Sequence, residues 1–333
     1  MAEAAEMVEL WRGGLLESTH RGHAVLCDET GQIVEAWGDP GRVIFPRSSC
    51  KMLQALPLVE SGAADAFGLT EAHLALSCAS HQGAALHVNM ARDWLAGLGL
   101  GEPDLRCGSH EPYDRAERDR LICDHEGPCQ LHNNCSGKHA GMLLLAEALG
   151  APLAGYLAPD HPAQREIARC VSHWSGLPEA ALVRGLDGCS APNFALPLRS
   201  LAQAFARLAS PEPDPVYGQA PQRIARAMSR HPHLVSGRGR NDLFLMRAGR
   251  GDWVSKVGAD GVQALASFRR GIAIAAKCGD GQLTPLMVAL VAALEQLGWI
   301  DDGIDREELA RLLPPPMQNA AGAEVGEMRA VLH

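Results

Sequence analysis

The chain has 333 residues, of which 47% are hydrophobic and 21% are charged, a composition typical of one large globular domain or two closely packed lobes. Its formal net charge is -9, so nucleic acid is not an expected partner. The most apolar late stretch, Met287–Leu294, is far shorter than the roughly 20 residues that span a bilayer. The first ten residues carry acids where a secretion signal needs positive charge. We therefore expect a cytoplasmic protein without membrane contact.

The ten cysteines are scattered singly, mostly beside apolar or small residues. In a small secreted chain they would suggest a disulfide framework, but this chain is long and shows no secretion signal. Reduced, buried thiols are the expected state for most of them.

The first elements read as strands. Val8–Arg12 alternates between apolar and polar residues, and two further apolar runs, 23–27 and 32–37, flank a turn. This pattern predicts a β-hairpin. Over 49–61 the apolar residues recur at helical spacing, which predicts a helix that Pro57 should kink or shorten.

Helical periodicity dominates the middle of the chain, and strand patterns return near its end. The predicted helices are 70–76, 87–98, 140–149, 162–175 and 198–208, and an exposed Pro-rich connection follows at 210–215. The predicted late strands are 242–247, 253–257, 262–267 and 271–275, followed by a long helix at 283–297.

Strands at both ends of the chain therefore enclose a helical middle. This segregation predicts an α+β protein in which the N- and C-terminal strands form one antiparallel sheet beside a helical lobe. We expect a single domain over 1–333, with a sheet lobe from about 1–46 and 240–333 and a helical lobe from about 47–239.

Ser48-Ser-Cys-Lys51 lies where the strand region gives way to the first predicted helix. A serine at a helix start and a lysine three residues later share one face, and the helix N-terminus favours negative charge near the serine oxygen. A neutral lysine can accept the hydroxyl proton, so the pattern fits a nucleophile and its base. Taken alone the pattern is weak, because an N-capping serine followed by a solvated lysine is the more common explanation of such residues.

A second lysine motif, Lys256-Val-Gly258, falls on a late predicted strand. It resembles the Lys-Thr/Ser-Gly element of penicillin-recognising serine enzymes, with Val257 at the hydroxyl position. A second cation near Lys51 would favour the neutral form of that lysine. The order of hairpin, Ser-x-x-Lys helix, helical lobe and Lys-x-Gly strand resembles the serine β-lactamase fold. The alternative for Lys256 is a solvated lysine on an edge strand.

Two cysteine-containing segments stand out from the rest of the chain, Asn133-Asn-Cys-Ser-Gly-Lys-His-Ala-Gly141 and Asp187-Gly-Cys-Ser-Ala-Pro192. Two thiolates from separate loops, with nitrogen or oxygen ligands, suit tetrahedral zinc. A lysine ligand must lose a proton, which the charge of the metal promotes. From the spacing alone, buried structural cysteines are the alternative.

Two single residues complete the set of candidates. Ser80, within Ala79-Ser-His-Gln-Gly83, could orient a substrate or relay protons, or simply cap a turn. Arg47 directly precedes Ser48 and could hold a carboxylate through two parallel hydrogen bonds. A surface arginine is the alternative for Arg47.

Taken together, these segments resemble the rhizobial-type (class 3) L-asparaginases, and the Cys-Ser-Gly-Lys-His-Ala-Gly motif is highly specific. The resemblance covers nearly the whole chain and implies a serine β-lactamase-like fold, a homodimer and hydrolysis of L-asparagine to L-aspartate and ammonia. The segments that carry it are Arg47–Pro57, Cys78–Gly83, Asn133–Met142, Gly185–Leu198, Lys256–Val262 and Asn319–Arg329.

The resemblance also implies roles for individual residues. Ser48 would be the nucleophile and Lys51 its base, while Ser80 and Lys256 would form a second serine–lysine pair. Cys135, Lys138 and Cys189 would hold a zinc ion beside the substrate. The remaining candidates for substrate contact are Arg47, His139 and Asp187.

Two other functions fit the same residues. One is another serine hydrolase of the β-lactamase type, either a penicillin-recognising enzyme or an esterase. Such enzymes have a hydroxyl residue where this chain has Val257, and cleavage of nitrocefin would reveal them. The other is a non-catalytic, zinc-containing asparagine-binding protein, which would bind asparagine without releasing ammonia.

Overall fold

The computed structural model describes residues 3–332, which form a mixed α and β architecture. The helices are α1 Lys51–Glu60, α2 Ala63–Ala66, α3 Glu71–Ser77, α4 Ala85–Gly97, α5 Arg115–Cys123, α6 Ser136–Ala148, α7 Pro162–Ser175, α8 Leu198–Ala209, α9 Ala220–Arg230, α10 Pro232–Val235, α11 Asn241–Ala248, α12 Leu283–Gln296 and α13 Arg306–Ala310. The strands are β1 Ala5–Arg12, β2 Leu15–Asp28, β3 Ile33–Trp37, β4 Val43–Ile44, β5 Val183–Leu186, β6 Pro192–Pro197, β7 Trp253–Gly258, β8 Val262–Ser267, β9 Ile272–Cys278, β10 Met317–Gln318 and β11 Glu324–Ala330. None of the helices between residues 3 and 332 combines the length and hydropathy that a bilayer crossing requires.

The chain divides into two compact units. The first runs from the start of the described chain to Ser49, takes in Leu196–Ala209, and resumes from Phe244 to the end of the described chain. The second consists of Cys50–Ala195 and Ser210–Leu243.

The first unit is built on an antiparallel sheet with the strand order β10-β11-β1-β2-β9-β8-β7, and β3 pairs with β2. The α+β prediction, with N- and C-terminal strands in one sheet, is therefore confirmed, as is the early hairpin. Helices α8 and α12 pack on this sheet. Trp253 and Trp299 lie fully buried in the core of the unit, with their ring centroids 6.3 Å apart.

The second unit is largely helical, with α1 packed against α6, α7 and α9. Nine of the ten residues of α1 are buried, which explains why a helix containing Pro57 still extends to Glu60. The lost backbone hydrogen bond at Pro57 is offset by burial on several sides.

One predicted strand is wrong, because residues 242–247 lie in helix α11. The run Leu243-Phe-Leu-Met246 is apolar without alternation, and such a short run fits a buried strand or a helix equally well. The acidic Asp242 in the first turn and Arg247 in the last turn are the end charges that a helix favours.

Candidate active site

The Ser48 segment is a single 3₁₀ turn, Arg47–Cys50, directly before α1. Arg47 has φ 53°, a left-handed backbone conformation that is uncommon for residues other than glycine and costs free energy. Its guanidinium pairs with the carboxylate of Asp260, so Arg47 already binds one carboxylate in this structure. The strained residue next to Ser48 marks the turn as a functional candidate.

The two neighbouring serines of this turn differ in their surroundings. Ser49 is fully buried, and its hydroxyl donates a hydrogen bond of 2.7 Å to the carbonyl oxygen of Pro46. Ser48 is only partly buried. Of the two hydroxyls, that of Ser48 is therefore the one a substrate could reach.

Strand β7 brings the Lys-x-Gly motif against the same turn. A Cβ atom added to Gly258 would lie 2.2 Å from the carbonyl oxygen of Pro46, so only glycine permits this approach. Lys256, two residues earlier, is fully buried and donates to the carbonyl oxygen of Val257. Because Lys256 is buried, the alternative of a solvated lysine on an edge strand does not fit.

This close contact gives a first prediction, that Gly258→Ala will be strongly disruptive. The added methyl group would meet a backbone oxygen, so either β7 or the Ser48 turn must move. We expect a loss of about 1–3 kcal/mol in the free energy of unfolding, the cost of overpacking, together with reduced activity. Gly97→Ala in helix α4, where nothing lies within 4 Å of the added Cβ, is the matched control. Equal stability of the two variants in thermal unfolding would contradict this account.

Lys51, the first residue of α1, is buried and forms a pair with Ser80 in the helical unit. Its Nζ lies 3.0 Å from the Ser80 hydroxyl oxygen and also donates to the carbonyl oxygen of Ala79. Ser80 is held in place because its N–H donates to the carbonyl oxygen of Val235 at 2.8 Å. The solvated-lysine explanation of Ser-x-x-Lys therefore does not fit Lys51.

Helix α6 begins at Ser136, four residues earlier than its apolar pattern predicts, and so includes Lys138 and His139. Gly137 permits this start, because a Cβ there would lie 2.4 Å from the carbonyl oxygen of Leu76. Ahead of the helix, the side-chain oxygen of Asn133 accepts the N–H of Cys135 at 2.9 Å. The α6 N-terminus thus lies directly against the end of α3, from which the chain leads to Ser80.

Cys189 comes from a different part of the helical unit. Strands β5 and β6 form an antiparallel hairpin, and its connecting loop carries Asp187 and Cys189. The loop closes through a hydrogen bond of 2.9 Å from the N–H of Asp187 to the carbonyl oxygen of Ala191. Cys189 is buried between the exposed Gly188 and Ser190, so the loop presents this thiol inward.

The three residues of the expected zinc site lie together. Lys138 Nζ is 3.0 Å from Cys189 Sγ, and all three side chains are buried. A hydrogen bond from the Cys135 thiol, with the nearby Lys138 charge, lowers the pKa of Cys189 to about 4, against the opposing effect of burial. The same hydrogen bond and burial raise the pKa of Cys135 to about 12. Burial alone would lower the pKa of Lys138, but Cys135, Cys189 and Asp187 raise it overall.

These donors fit a zinc ion. Zinc favours thiolate sulfur and nitrogen ligands in tetrahedral sites. The lowered pKa of Cys189 favours the thiolate that zinc binds, and its sulfur has the Cys135 thiol and the Lys138 amine as neighbours. The protons of those two neighbours are the ones that a metal ion displaces on binding.

His139 contributes a buried hydrogen-bond donor beside this cluster. Its Nδ1 lies 2.6 Å from the hydroxyl oxygen of Tyr156, which itself accepts the N–H of Arg106 at 3.0 Å. With Tyr156 as the donor to Nδ1, the ring proton sits on Nε2. Burial, and then the Lys138 charge, lower the pKa of His139 to about 3. Nε2 is buried without a hydrogen-bond partner among residues 3–332.

The structure thus brings the candidates together in groups within each unit. In the sheet unit, Arg47 and Ser48 share a turn that contacts the end of the Lys256 strand. In the helical unit, Lys51 pairs with Ser80, and Cys135, Lys138 and Cys189 form a buried cluster. Asp187 also acts on Lys138 and His139.

Two supporting residues carried no clear signal in the sequence. Tyr156 lies in an irregular segment and contacts His139 from 17 residues away, so no spacing rule links the two. Asn133 positions Cys135 and also donates to the carbonyl oxygens of Cys107 and Gly108. An Asn just ahead of a helix is a recognisable turn signal, and it could have indicated this role.

Comparison with models of protein families shows which family the chain belongs to. The model of the L-asparaginase II family matches residues 8–330. The chain belongs to the L-asparaginase II family. Members are amidohydrolases that act on asparagine, and the resemblance expected from the motifs is confirmed. Comparison with curated proteins found no match.

Several solved structures are similar at low sequence identity. Mglu, in its native form in 4.3 M NaCl, shows 15% identity and a TM-score of 0.45, with 90% of this chain and 65% of that chain covered. The chain thus spans just under two thirds of that structure. A β-lactamase (Mb2281c) from Mycobacterium bovis shows 15% identity and a TM-score of 0.46, with coverages of 83% and 94%. A putative β-lactamase from Bacteroides dorei DSM 17855 shows 11% identity and a TM-score of 0.42, with coverages of 83% and 93%.

Proposed function

We propose that this protein is an L-asparaginase that hydrolyses L-asparagine to L-aspartate and ammonia through an acyl-enzyme on Ser48. The observation that carries the proposal is the buried pair of Lys51 and Ser80, in which Lys51 Nζ lies 3.0 Å from the Ser80 hydroxyl oxygen. Lys51 follows the partly exposed Ser48 by three residues. Membership of the L-asparaginase II family supplies the substrate class.

The reaction is acyl transfer. The Ser48 hydroxyl oxygen attacks the side-chain amide carbon of asparagine, and its proton passes to Lys51. The carbon–nitrogen bond breaks, and the leaving amine takes a proton and departs as ammonia. Water then cleaves the β-aspartyl ester, and the released proton returns to the serine oxygen. Ser80 and Lys256 are proposed as the second serine–lysine pair that assists these proton transfers.

The surroundings of Lys51 suit a base. A neutral amine has two hydrogens and one lone pair. Its hydrogens are directed to the carbonyl oxygen of Ala79 and the hydroxyl of Ser80, which leaves the lone pair to accept a proton. The same two acceptors fix the direction of that lone pair, so the amine is positioned before substrate binds.

Cys135, Lys138 and Cys189 are the residues that would hold zinc. When bound, zinc supplies a fixed positive charge that positions the α-amino or α-carboxyl group of the substrate. Arg47 contributes a guanidinium suited to a carboxylate, and His139 contributes the N–H on Nε2. Asp187 supplies negative charge close to this cluster.

Ammonia release tests the proposal directly. Purified protein would be given L-asparagine or L-glutamine in a coupled ammonia assay, with nitrocefin as a parallel substrate. We expect ammonia from asparagine and no cleavage of nitrocefin. Tight asparagine binding without ammonia would replace the proposal by the binding-protein alternative, and nitrocefin cleavage would favour a penicillin-recognising enzyme.

The zinc site yields a second prediction, that Cys189→Ser will remove the bound metal. The substitution takes away the thiolate that contacts Lys138, so zinc content should fall from about one ion per chain to a small fraction. The measurement is elemental analysis of metal-loaded, dialysed protein.

The control comes from a second group of donors. Among residues 3–332, His20, Cys278 and Asp280 have donor atoms within 4.8 Å of one another. Cys278→Ser should leave the zinc content unchanged. If zinc were retained in Cys189→Ser and lost in Cys278→Ser, the metal would be bound in the sheet unit, and the proposed site would be contradicted.

A homodimer and a cytoplasmic location complete the proposal. The resemblance to class 3 asparaginases supports the dimer. Light scattering coupled to gel filtration would test the dimer. A monomer at micromolar concentration would contradict it.

A further inference from the structure

A second group of reactive residues lies in the helical unit, around the 3₁₀ turn Gln130–His132. Cys129 Sγ is 3.3 Å from His132 Nδ1, and His132 Nε2 is 3.4 Å from Glu117 Oε1. Thiol, imidazole and carboxylate therefore form a continuous line. Neither Cys129 nor Glu117 has a role in the proposed asparaginase reaction.

The hydrogen bonds define the tautomer of His132. Its Nδ1 accepts the backbone N–H of Cys129 at 3.0 Å, so in the neutral ring the proton sits on Nε2 and faces the carboxylate of Glu117. The single lone pair of Nδ1 is therefore shared between this N–H and the thiol 3.3 Å away, and it takes up the thiol proton only when the backbone N–H moves off it. The order of groups is the one that activates a cysteine nucleophile, in which a third group orients the base.

Further contacts hold the imidazole and the carboxylate in place beside the sulfur. The backbone N–H of His132 donates to the carbonyl oxygen of Cys129 at 3.0 Å, which fixes the ring so that its Nδ1 lies 3.3 Å from the Cys129 sulfur. Glu117 is buried beside the imidazole, and its carboxylate oxygen lies 3.4 Å from Nε2. Arg120 fixes the Glu117 carboxylate through hydrogen bonds of 3.1 and 2.9 Å to Oε1.

Access to this group is provided by an open cleft of about 700 Å³, lined by Arg92, Glu126, Cys129 and His132 among others. Cys129 is partly exposed. Arg92 donates to the amide oxygen of Asn89 and forms no ion pair within residues 3–332, whereas Arg120 is paired with three carboxylates. Arg92 therefore places a cation in the same cleft that Cys129 lines.

We propose that Cys129 is a site of thiol–disulfide exchange with small disulfides that carry a carboxylate. The Cys129 thiolate attacks one sulfur of the disulfide, a new sulfur–sulfur bond forms at Cys129, and the old one breaks. The departing thiolate takes the proton from the His132 imidazolium. The small disulfide is the oxidant, and half of it is reduced to the thiol.

The chain supplies its own control in Cys123, an exposed cysteine at the end of helix α5. The zinc-loaded full chain would be treated with 5,5′-dithiobis(2-nitrobenzoate), a dicarboxylate disulfide, and the modified cysteines would be quantified over time by peptide mass spectrometry. We expect Cys129 to react at least about tenfold faster than Cys123 near neutral pH. Equal or slower reaction of Cys129 would overturn the proposal.

The role of the imidazole–carboxylate pair is tested by Glu117→Gln, with Glu126→Gln as the matched control in the same cleft. Glu117→Gln should slow the reaction of Cys129 about three- to tenfold and shift its pH profile to higher pH, without changing Cys123. Glu126→Gln should change neither cysteine. An unchanged pH profile for Cys129 in a folded Glu117→Gln protein would contradict the activation.

The charge preference is tested by Arg92→Gln. This variant should slow the reaction of Cys129 with the dicarboxylate disulfide but leave its reaction with neutral 4,4′-dithiodipyridine unchanged. Equal slowing with both reagents would show that Arg92 acts on the fold and not on the charge of the reagent. That result would overturn the proposed class of disulfide.

Discussion

Ser48→Ala is expected to lower asparagine turnover by about 10⁴-fold or more, because no other step of the proposed reaction can proceed without the acyl-enzyme. The protein should still fold, since the Ser48 side chain is only partly buried. Turnover would be measured by ammonia release from variant and wild-type protein at saturating asparagine, with thermal unfolding as the check on the fold.

The adjacent serine is the sharpest control for this prediction. Ser49→Ala removes a hydroxyl that donates to the carbonyl oxygen of Pro46, while that oxygen keeps the backbone N–H of Ser49 at 3.1 Å. The cost should be about 1 kcal/mol of stability, with turnover largely retained. Near-normal turnover in Ser48→Ala would contradict an acyl-enzyme on Ser48. Complete loss of turnover in Ser49→Ala alone would instead indicate that Ser49 is the nucleophile.

Much of the fold follows from local pattern. The early hairpin, the late strands β7 to β9 and the long helices obey the two- and 3.6-residue periods, and the structure confirms them. The segment 242–247 fails because its apolar run has no alternation, and a helix buries such a run as well as a strand does. Helix α6 starts early because Gly137 lets it pack against Leu76, a contact that no local pattern encodes.

Only part of the candidate site can be predicted from the sequence. Types and spacing single out Ser48, Lys51 and the two cysteine segments as candidates, because nucleophiles, bases and metal ligands come from few residue types. Which partners they meet depends on tertiary contacts. Lys51 reaches Ser80 across 29 positions and Lys138 reaches Cys189 across 51, and single-sequence patterns contain no information on such pairings.

Lys51→Met should lower turnover by about 10²- to 10⁴-fold, the range for removal of a general base. Methionine preserves the length of the buried side chain but leaves the carbonyl oxygen of Ala79 and the Ser80 hydroxyl without their donor. We therefore also expect a loss of about 1–3 kcal/mol in the free energy of unfolding. The two effects are separable, because activity is measured well below the unfolding temperature.

Two further substitutions distinguish a base from a simple donor at this position. Lys51→Arg keeps a positive charge and several N–H donors, but the guanidinium has no lone pair to accept a proton. If Lys51 is the base, arginine should not restore turnover, although it can restore stability. Ser80→Ala keeps the lysine and should cost less than Lys51→Met. Recovery of turnover in Lys51→Arg would show that Lys51 acts through its charge alone, and the proton from Ser48 would then need a different acceptor.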